Sequence, residues 1–120
     1  MNNFLNLNEI APKNLEAILE DASKVKKASL GDIVLNEHYS SCLNNTITGL
    51  LFEKLSTRTR LSFEAAVLKL GGQVSIIRKD EIHLGQGETL QDTSAMFSLF
   101  LDVLVPVSYT HLTLPTSCCV

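Results

Sequence analysis

Apolar residues recur along the first part of the chain at the spacing of one helix face. They form the set Leu15, Ile18, Leu19, Ala22 and Val25. This period predicts a helix from about residue 12 to residue 27, beginning at a proline whose missing N–H costs nothing in the first turn. Residues 28–45 keep no period, so we expect an irregular connection there, with at most a short helical turn.

After residue 46 the pattern changes to short apolar runs that alternate with helical stripes. The runs at 47–52, 73–78 and 103–105 are bounded by turn residues and predict buried strands. Stripes at 63–70 and from about 89 to 100 predict helices between them, the first of which ends at a Gly-Gly pair. The alternation predicts an α/β fold with a parallel sheet and right-handed crossovers.

Composition and charge limit the kinds of function that this chain can have. The 120 residues are 45% hydrophobic, which suits one small core and not two full domains. A formal net charge of −3 without a long basic stretch argues against a general nucleic-acid binder. No apolar run reaches the roughly 20 residues of a membrane helix, and the first residues lack the pattern of a secretion signal. We therefore expect a cytoplasmic protein with no membrane partner.

The three cysteines, Cys42, Cys118 and Cys119, do not have the spacing of a metal site. Two of them are adjacent, and a disulfide between neighbours would be strained. We expect no metal, and we expect Cys42 to be an ordinary buried or half-buried thiol.

The junction between the first strand and the following helix carries the most informative chemistry. Its polar residues are Ser56, Thr57, Arg58 and Thr59. The first N–H groups of a helix are unpaired, and the hydroxyls and a guanidinium beside them would complete an anion site. Such sites lie outside the carboxyl ends of strands in open α/β sheets. The alternative is that Ser56 only caps the helix and the arginines are surface charge.

Two segments resemble the aspartate/ornithine carbamoyltransferase family. The segment at 52–64 reads Phe-Glu-Lys-Leu-Ser-Thr-Arg-Thr-Arg-Leu-Ser-Phe-Glu, and the segment at 80–93 begins Asp-Glu-Ile-His-Leu-Gly. The resemblance covers about residues 3–105 and implies the carbamoyl-phosphate-binding domain, a three-layer fold around a parallel sheet. The resemblance is to the ornithine branch of the family, whose members have Phe-Glu-Lys and Asp-x-Ile-His-Leu-Gly at these places. The aspartate branch usually has Pro at the position where Leu55 stands here.

The resemblance implies a role for each matched residue. The phosphate of carbamoyl phosphate would be bound by Ser56, Thr57, Arg58 and Thr59. Of these, Arg58 and Thr59 would also polarise the carbonyl, and Arg60 would make a structural ion pair. His83 would reach the carbamoyl phosphate of a neighbouring subunit in a homotrimer, although a single loop histidine is usually only solvated. No cofactor or metal is implied.

The end of the chain departs from the family. The third strand is not followed by the expected Arg, by a His-Pro segment or by the second domain that binds ornithine. We therefore expect residues 1–105 to form a truncated N-terminal domain. Residues 106–120 are expected to be a tail foreign to the family, since they resemble a translated sequencing adapter.

Three functions remain open. The first is a fragment of a transferase that carbamoylates ornithine to citrulline, releasing phosphate, in arginine metabolism. The second is the same domain of the aspartate enzyme of pyrimidine synthesis, and the third is a non-catalytic phosphate-binding remnant. Because the second domain is missing, we expect this chain to be inactive alone.

Overall fold

The computed structural model describes residues 3–29, 37–54, 56–82 and 89–107. The helices are α1 (Pro12–Ser29), α2 (Glu37–Ser40), α3 (Thr57–Lys69) and α4 (Leu90–Phe100). The strands are β1 (Ile47–Phe52), β2 (Gln73–Arg78) and β3 (Val103–Pro106). Two single 3₁₀ turns lie at Leu7–Glu9 and Lys79–Glu81. The predicted strands and helices are confirmed to within a few residues, and β1 and β2 have the predicted bounds.

The strands form a parallel sheet in the order β2-β1-β3. Leu51 of β1 lies in register with Ile77 of β2 and with Pro106 of β3. β1 is therefore central, and five of its six residues are buried, whereas β2 is mostly half-buried or exposed. The central position of β1 explains why its residues are nearly all apolar. In β2, which lies at the edge of the sheet, apolar and polar residues are mixed.

The helices cover both faces of the sheet. α3 connects β1 to β2 and packs against both strands. α4 connects β2 to β3 and therefore crosses the sheet in the opposite direction. Since crossovers between parallel strands are right-handed, this reversal places α3 and α4 on opposite faces. The predicted three-layer α/β fold is confirmed.

The core lies where α4 packs on the central strand. Its buried cluster consists of Leu51, Phe97 and Leu104, and the half-buried side chains of Ile77, Ile82 and Leu101 surround it. The intervening residues of β1, which point to the other face, are also buried: Thr48, Leu50 and Phe52. Because successive side chains of β1 point to opposite faces, this strand supplies buried residues to both sides of the sheet.

The helix stripes are less buried than their period predicts. In α1, Leu15 and Val25 are half-buried, but Ile18 and Leu19 are 48% and 69% exposed. In α3 only Val67 is buried. The period identified the helices correctly, but it does not determine how much of each stripe the rest of the chain covers.

The expectation that Cys42 is buried or half-buried was wrong, because its side chain is exposed. Cys42 lies in the turn after α2, where its N–H donates to the carbonyl of Tyr39. The next residue, Leu43, is the half-buried one and lies beside Gly72. Adjacent turn residues point in different directions, so Leu43 is directed inward and Cys42 outward.

Asp102 joins the start of β1 to the start of β3. Its carboxylate Oδ2 accepts from the N–H of Ile47 at 2.8 Å, and its own N–H donates to the Ile47 carbonyl at 2.9 Å. We expect Asp102→Ala to lower the free energy of unfolding by about 1 kcal/mol, since one hydrogen bond is lost at an exposed site. Asp102→Asn, which keeps an acceptor, should lose less in urea denaturation. Equal losses for the two variants would contradict this role.

None of the helices in the described ranges is long and apolar enough to cross a membrane.

Candidate functional site

The carboxyl ends of β1 and β2 lie side by side at one edge of the sheet. Phe52 and Arg78 are the last pair in register, so the chain leaves both strands at the same level. The polar segment that begins at residue 53 and the turn that begins at residue 79 therefore start next to each other. This is the edge at which ligands of open α/β sheets bind.

The backbone at the start of α3 presents donors to solvent. Ser56 is the N-cap residue and has extended backbone angles. The first hydrogen bond of the helix runs from the N–H of Arg60 to the carbonyl of Ser56 at 2.9 Å. The N–H groups of residues 57–59 precede this bond and have no partner within the helix. Together with the positive end of the helix dipole, they favour an anion.

The hydroxyl groups at this helix start bond to each other. Ser56 Oγ donates to Thr59 Oγ1 at 3.1 Å, and Ser56 makes no side-chain cap to the backbone. The alternative in which the hydroxyl of Ser56 serves as the helix cap therefore does not describe this structure. Ser56 and Thr57 are exposed and Thr59 is half-buried, so the hydroxyls lie at the surface beside the N–H groups.

Two arginines of α3 have different surroundings. Arg60 pairs with Glu64 one turn later, with Nη1 3.2 Å from Oε2, and both side chains are partly buried. This confirms the structural ion pair expected for Arg60. Arg58 is exposed and forms no ion pair with any carboxylate in the described part of the chain. Its guanidinium is therefore available to an anion at the helix start.

The exit of β2 is held by polar contacts that the sequence did not predict. Lys79 Nζ lies 2.8 Å from Glu53 Oε1, so an ion pair joins the segments that follow β2 and β1. Glu81 Oε2 accepts from the N–H of Arg78 at 2.9 Å, and Arg78 Nε lies 3.5 Å from Asp80 Oδ1. The only signal in the sequence was that Glu53 and Lys79 each come directly after a strand.

The side chain of Thr89 caps the start of α4. Thr89 Oγ1 accepts from the N–H of Asp92 at 3.1 Å. Thr93, which follows, is buried. The N–H of Thr93 donates to the carbonyl of Thr89 at 3.1 Å, so both hydrogen bonds are local to the first turn of α4.

His83, the predicted ligand from the second loop, lies outside the described residues. The last described residue before it is Ile82, whose side chain packs against the core cluster. Across 3–29, 37–54, 56–82 and 89–107, no three side chains of His, Cys, Asp or Glu are grouped so that they could hold a metal ion. The candidate site residues that the structure describes are therefore Ser56, Thr57, Arg58 and Thr59, at the N-cap and in the first turn of α3.

This arrangement can bind a small doubly charged anion. The first turn of this helix combines unpaired N–H groups, two hydroxyls bonded to each other and an exposed arginine. Arginine can donate two parallel hydrogen bonds to a phosphate, and the N–H groups add further donors without a long flexible side chain.

Comparison with known proteins agrees with this chemistry. The family model described as "Aspartate/ornithine carbamoyltransferase, carbamoyl-P binding domain" matches residues 2–114. An ornithine carbamoyltransferase of Methanococcus vannielii is 39% identical over 111 residues, covering 92% of this chain and 34% of that protein. One from Listeria monocytogenes serotype 4a is 34% identical over 108 residues, covering 87% of this chain and 34% of that protein. The chain thus spans about a third of the length of these relatives.

Solved structures of similar proteins share the fold. A mitochondrial ornithine carbamoyltransferase of Coccidioides immitis superposes with a TM-score of 0.79 at 33% identity, covering 88% of this chain and 33% of that one. An aspartate transcarbamoylase of Trypanosoma cruzi, solved with phosphate, superposes with a TM-score of 0.69 at 30% identity, covering 88% and 32%. The family match ends at residue 114, and the boundary at residue 105 stays a prediction.

Proposed function

Because the chain belongs to the aspartate/ornithine carbamoyltransferase family, we propose that it is the carbamoyl-phosphate-binding part of an ornithine carbamoyltransferase. The parent enzyme would transfer the carbamoyl group from carbamoyl phosphate to ornithine, giving citrulline and phosphate. The observation that carries the proposal is the exposed Arg58 guanidinium beside the hydroxyl pair and the unpaired N–H groups at the start of α3.

The proposed reaction needs hydrogen-bond donors and no redox cofactor. The amine of ornithine attacks the carbonyl carbon, and negative charge grows on the carbonyl oxygen of the tetrahedral intermediate. Arg58 and Thr59 would stabilise this oxygen, since fixed donors lower the barrier where charge develops. The C–O bond to phosphate then breaks, the amine loses a proton, and phosphate leaves from the donors of Ser56, Thr57 and Arg58.

The ornithine branch is favoured over the aspartate branch by two observations. The sequence has Phe-Glu-Lys before Ser56 and His83 in an Asp-x-Ile-His-Leu-Gly loop. The relatives described above are named ornithine carbamoyltransferase, although an aspartate enzyme has the same fold. We propose a role in arginine metabolism in the cytoplasm, and a homotrimer in which His83 completes the site of a neighbouring subunit.

The anion site can be tested with Arg58→Met. We expect inorganic phosphate to broaden and shift in ³¹P NMR when the wild-type chain is added. The variant should bind about 10- to 100-fold more weakly, because hydrogen bonds between charged groups contribute about 1.5–3 kcal/mol. Arg58→Lys should lose less, since it keeps the charge but not the paired donors.

A matched control lies two residues further along the same helix. Arg60→Met removes the same side chain, but Arg60 is engaged with Glu64. We expect this variant to be somewhat less stable and to bind phosphate like the wild type. If Arg58→Met binds phosphate as well as Arg60→Met, the helix start is not the anion site.

An activity assay of the protein encoded by the gene's full reading frame distinguishes the three functions. Carbamoylation of ornithine supports the ornithine branch, carbamoylation of aspartate supports the aspartate branch, and activity with neither supports a non-catalytic remnant.

A further inference from the structure

Ser62 lies in the second turn of α3, just beyond the residues of the proposed anion site. Its hydroxyl Oγ lies 2.8 Å from the carbonyl oxygen of Thr59. A carbonyl oxygen can only accept, so the direction of this bond is fixed and Ser62 donates its one hydroxyl proton to Thr59. Because that proton is used, any effect of the Ser62 hydroxyl on an anion at the helix start passes through Thr59.

Thr59 is held at two of its atoms. Its carbonyl oxygen is bonded to Ser62 Oγ, and its side-chain Oγ1 is bonded to Ser56 Oγ at 3.1 Å. The first bond holds the main chain and the second holds the side chain. Together they limit the freedom of Thr59 to rotate away from the start of the helix.

The bond from Ser62 continues toward the helix start through two peptide groups. The peptide group between Thr59 and Arg60 accepts from Ser62 at its carbonyl oxygen. The N–H of the same group belongs to Arg60 and donates to the carbonyl of Ser56 at 2.9 Å. That carbonyl belongs to the peptide group whose N–H is on Thr57, a first-turn donor without a partner within the helix. A chain of hydrogen bonds therefore leads from the Ser62 hydroxyl to the N–H of Thr57.

Hydrogen bonds in such a chain polarise one another by about 10–30% per bond. A donor at a carbonyl draws electron density toward the carbonyl oxygen, and the N–H of the same peptide group becomes a stronger donor. This effect adds to the helix dipole, which already favours an anion at this end of α3. The N–H of Thr57 should therefore bind a phosphate oxygen more tightly while Ser62 keeps its hydroxyl bond.

Helix stability alone does not account for a serine at position 62. Ser62 is exposed, and alanine favours the helical state more than serine does at such positions. A serine hydroxyl that bonds back to its own helix also slightly destabilises that helix. A residue that is unfavourable for the helix, yet bonded to its first turn, is what a role in binding would require.

We propose that Ser62 is a positioning residue for the phosphate of carbamoyl phosphate. It holds Thr59 in place, and through two peptide groups it strengthens the N–H donor of Thr57. Ser62 does not itself contact the phosphate in this proposal. The role rests on the proposed function, since it requires that the start of α3 binds phosphate.

Phosphate binding by Ser62→Ala tests this role. Inorganic phosphate is titrated into the ¹⁵N-labelled full chain, and binding is followed by ³¹P NMR and by amide spectra. We expect Ser62→Ala to bind about 1.5- to 3-fold more weakly than the wild type, because each bond in the chain changes by only about 10–30%. Without phosphate, the amide proton of Arg60 should move upfield in this variant, because its bond to the Ser56 carbonyl weakens. Ser62→Thr, whose hydroxyl can make the same bond, should restore both the affinity and the shift.

Ser98→Ala is the control variant. Ser98 Oγ donates to the carbonyl of Ser94 at 2.9 Å, so α4 contains a serine that bonds back to its own helix outside the candidate site. We expect Ser98→Ala to bind phosphate like the wild type. Urea denaturation without phosphate shows whether each variant is folded. Ser62→Ala should be at least as stable as the wild type, since alanine favours helix.

The outcomes distinguish the two proposals. If the wild type does not bind phosphate, or if Arg58→Met binds as tightly as the wild type, the proposed function fails. If the wild type binds and Arg58→Met is weakened, but Ser62→Ala binds like Ser98→Ala, only the role of Ser62 is overturned. That role is also overturned if Ser62→Ala loses affinity without a shift at Arg60, if Ser62→Thr does not restore binding, or if the loss accompanies unfolding.

Discussion

Replacing Leu51 with alanine is expected to lower the free energy of unfolding by about 2–5 kcal/mol. The side chain is fully buried at the centre of the cluster that joins β1, α4 and β3. Truncation would remove apolar contacts and leave a cavity, because Phe97 and Leu104 are held by their own elements and can close the space only in part. A small domain is stable by only about 5–15 kcal/mol, so this single change is large.

Urea denaturation followed by circular dichroism measures this loss. Leu68→Ala is the matched control, because Leu68 is 57% exposed on α3 and alanine favours helix. We expect that variant to stay within about 1 kcal/mol of the wild type. If Leu51→Ala and Leu68→Ala lower the free energy of unfolding by the same amount, the buried cluster is not the centre of the core.

Replacing Gly71 with alanine is expected to cost about 2–4 kcal/mol, from left-handed strain and from steric overlap. Gly71 has a φ of +89°, in the left-handed region. A Cβ there would also approach the backbone carbonyl oxygen of Ser40 to 2.7 Å and would meet the side-chain oxygen of Asn44. The carbonyl belongs to the end of α2, so the overlap cannot be relieved by a side-chain rotation alone.

The second positive-φ position in the same region supplies the control. Asn45 has a φ of 60° and is exposed, so Asn45→Gly removes strain without a new contact. We expect that variant to lie within about 1 kcal/mol of the wild type, whereas Gly71→Ala should show a clearly lower urea midpoint. A neutral Gly71→Ala would mean that the connection between α2 and β1 can move away from the Gly71 turn.

Local features of the sequence were enough to predict much of the fold. β1 and β2 were predicted to the residue, because each is a short apolar run between turn residues. The Gly71 cap of α3 follows from glycine's access to left-handed backbone angles, and the Thr89 cap of α4 follows from a hydroxyl before a helical stripe. The same local reasoning placed residues 56–59 together at the start of α3, because they follow one another within about one helix turn; their role as an anion site stays a prediction.

Contacts between distant segments could not be predicted in this way. Glu53 and Lys79 are 26 positions apart, and Ile47 and Asp102 are 55 apart, so both contacts depend on the strand register. The exposure of Cys42 depends on which turn residue packs beside Gly72. Such features require the three-dimensional arrangement of strands, and periodicity along one element does not contain it.

The central position of β1 also bears on the order in which the chain can fold. Leu51 needs Ile77 from β2 on one side and Leu104 and Phe97 from the last described part of the chain on the other. During synthesis the β1–α3–β2 unit emerges first, but its core stays incomplete until about residue 106 has left the ribosome. Parallel pairing over such sequence distances is slow. Nascent chains that end before β3 should therefore expose the central strand and be the most dependent on chaperones.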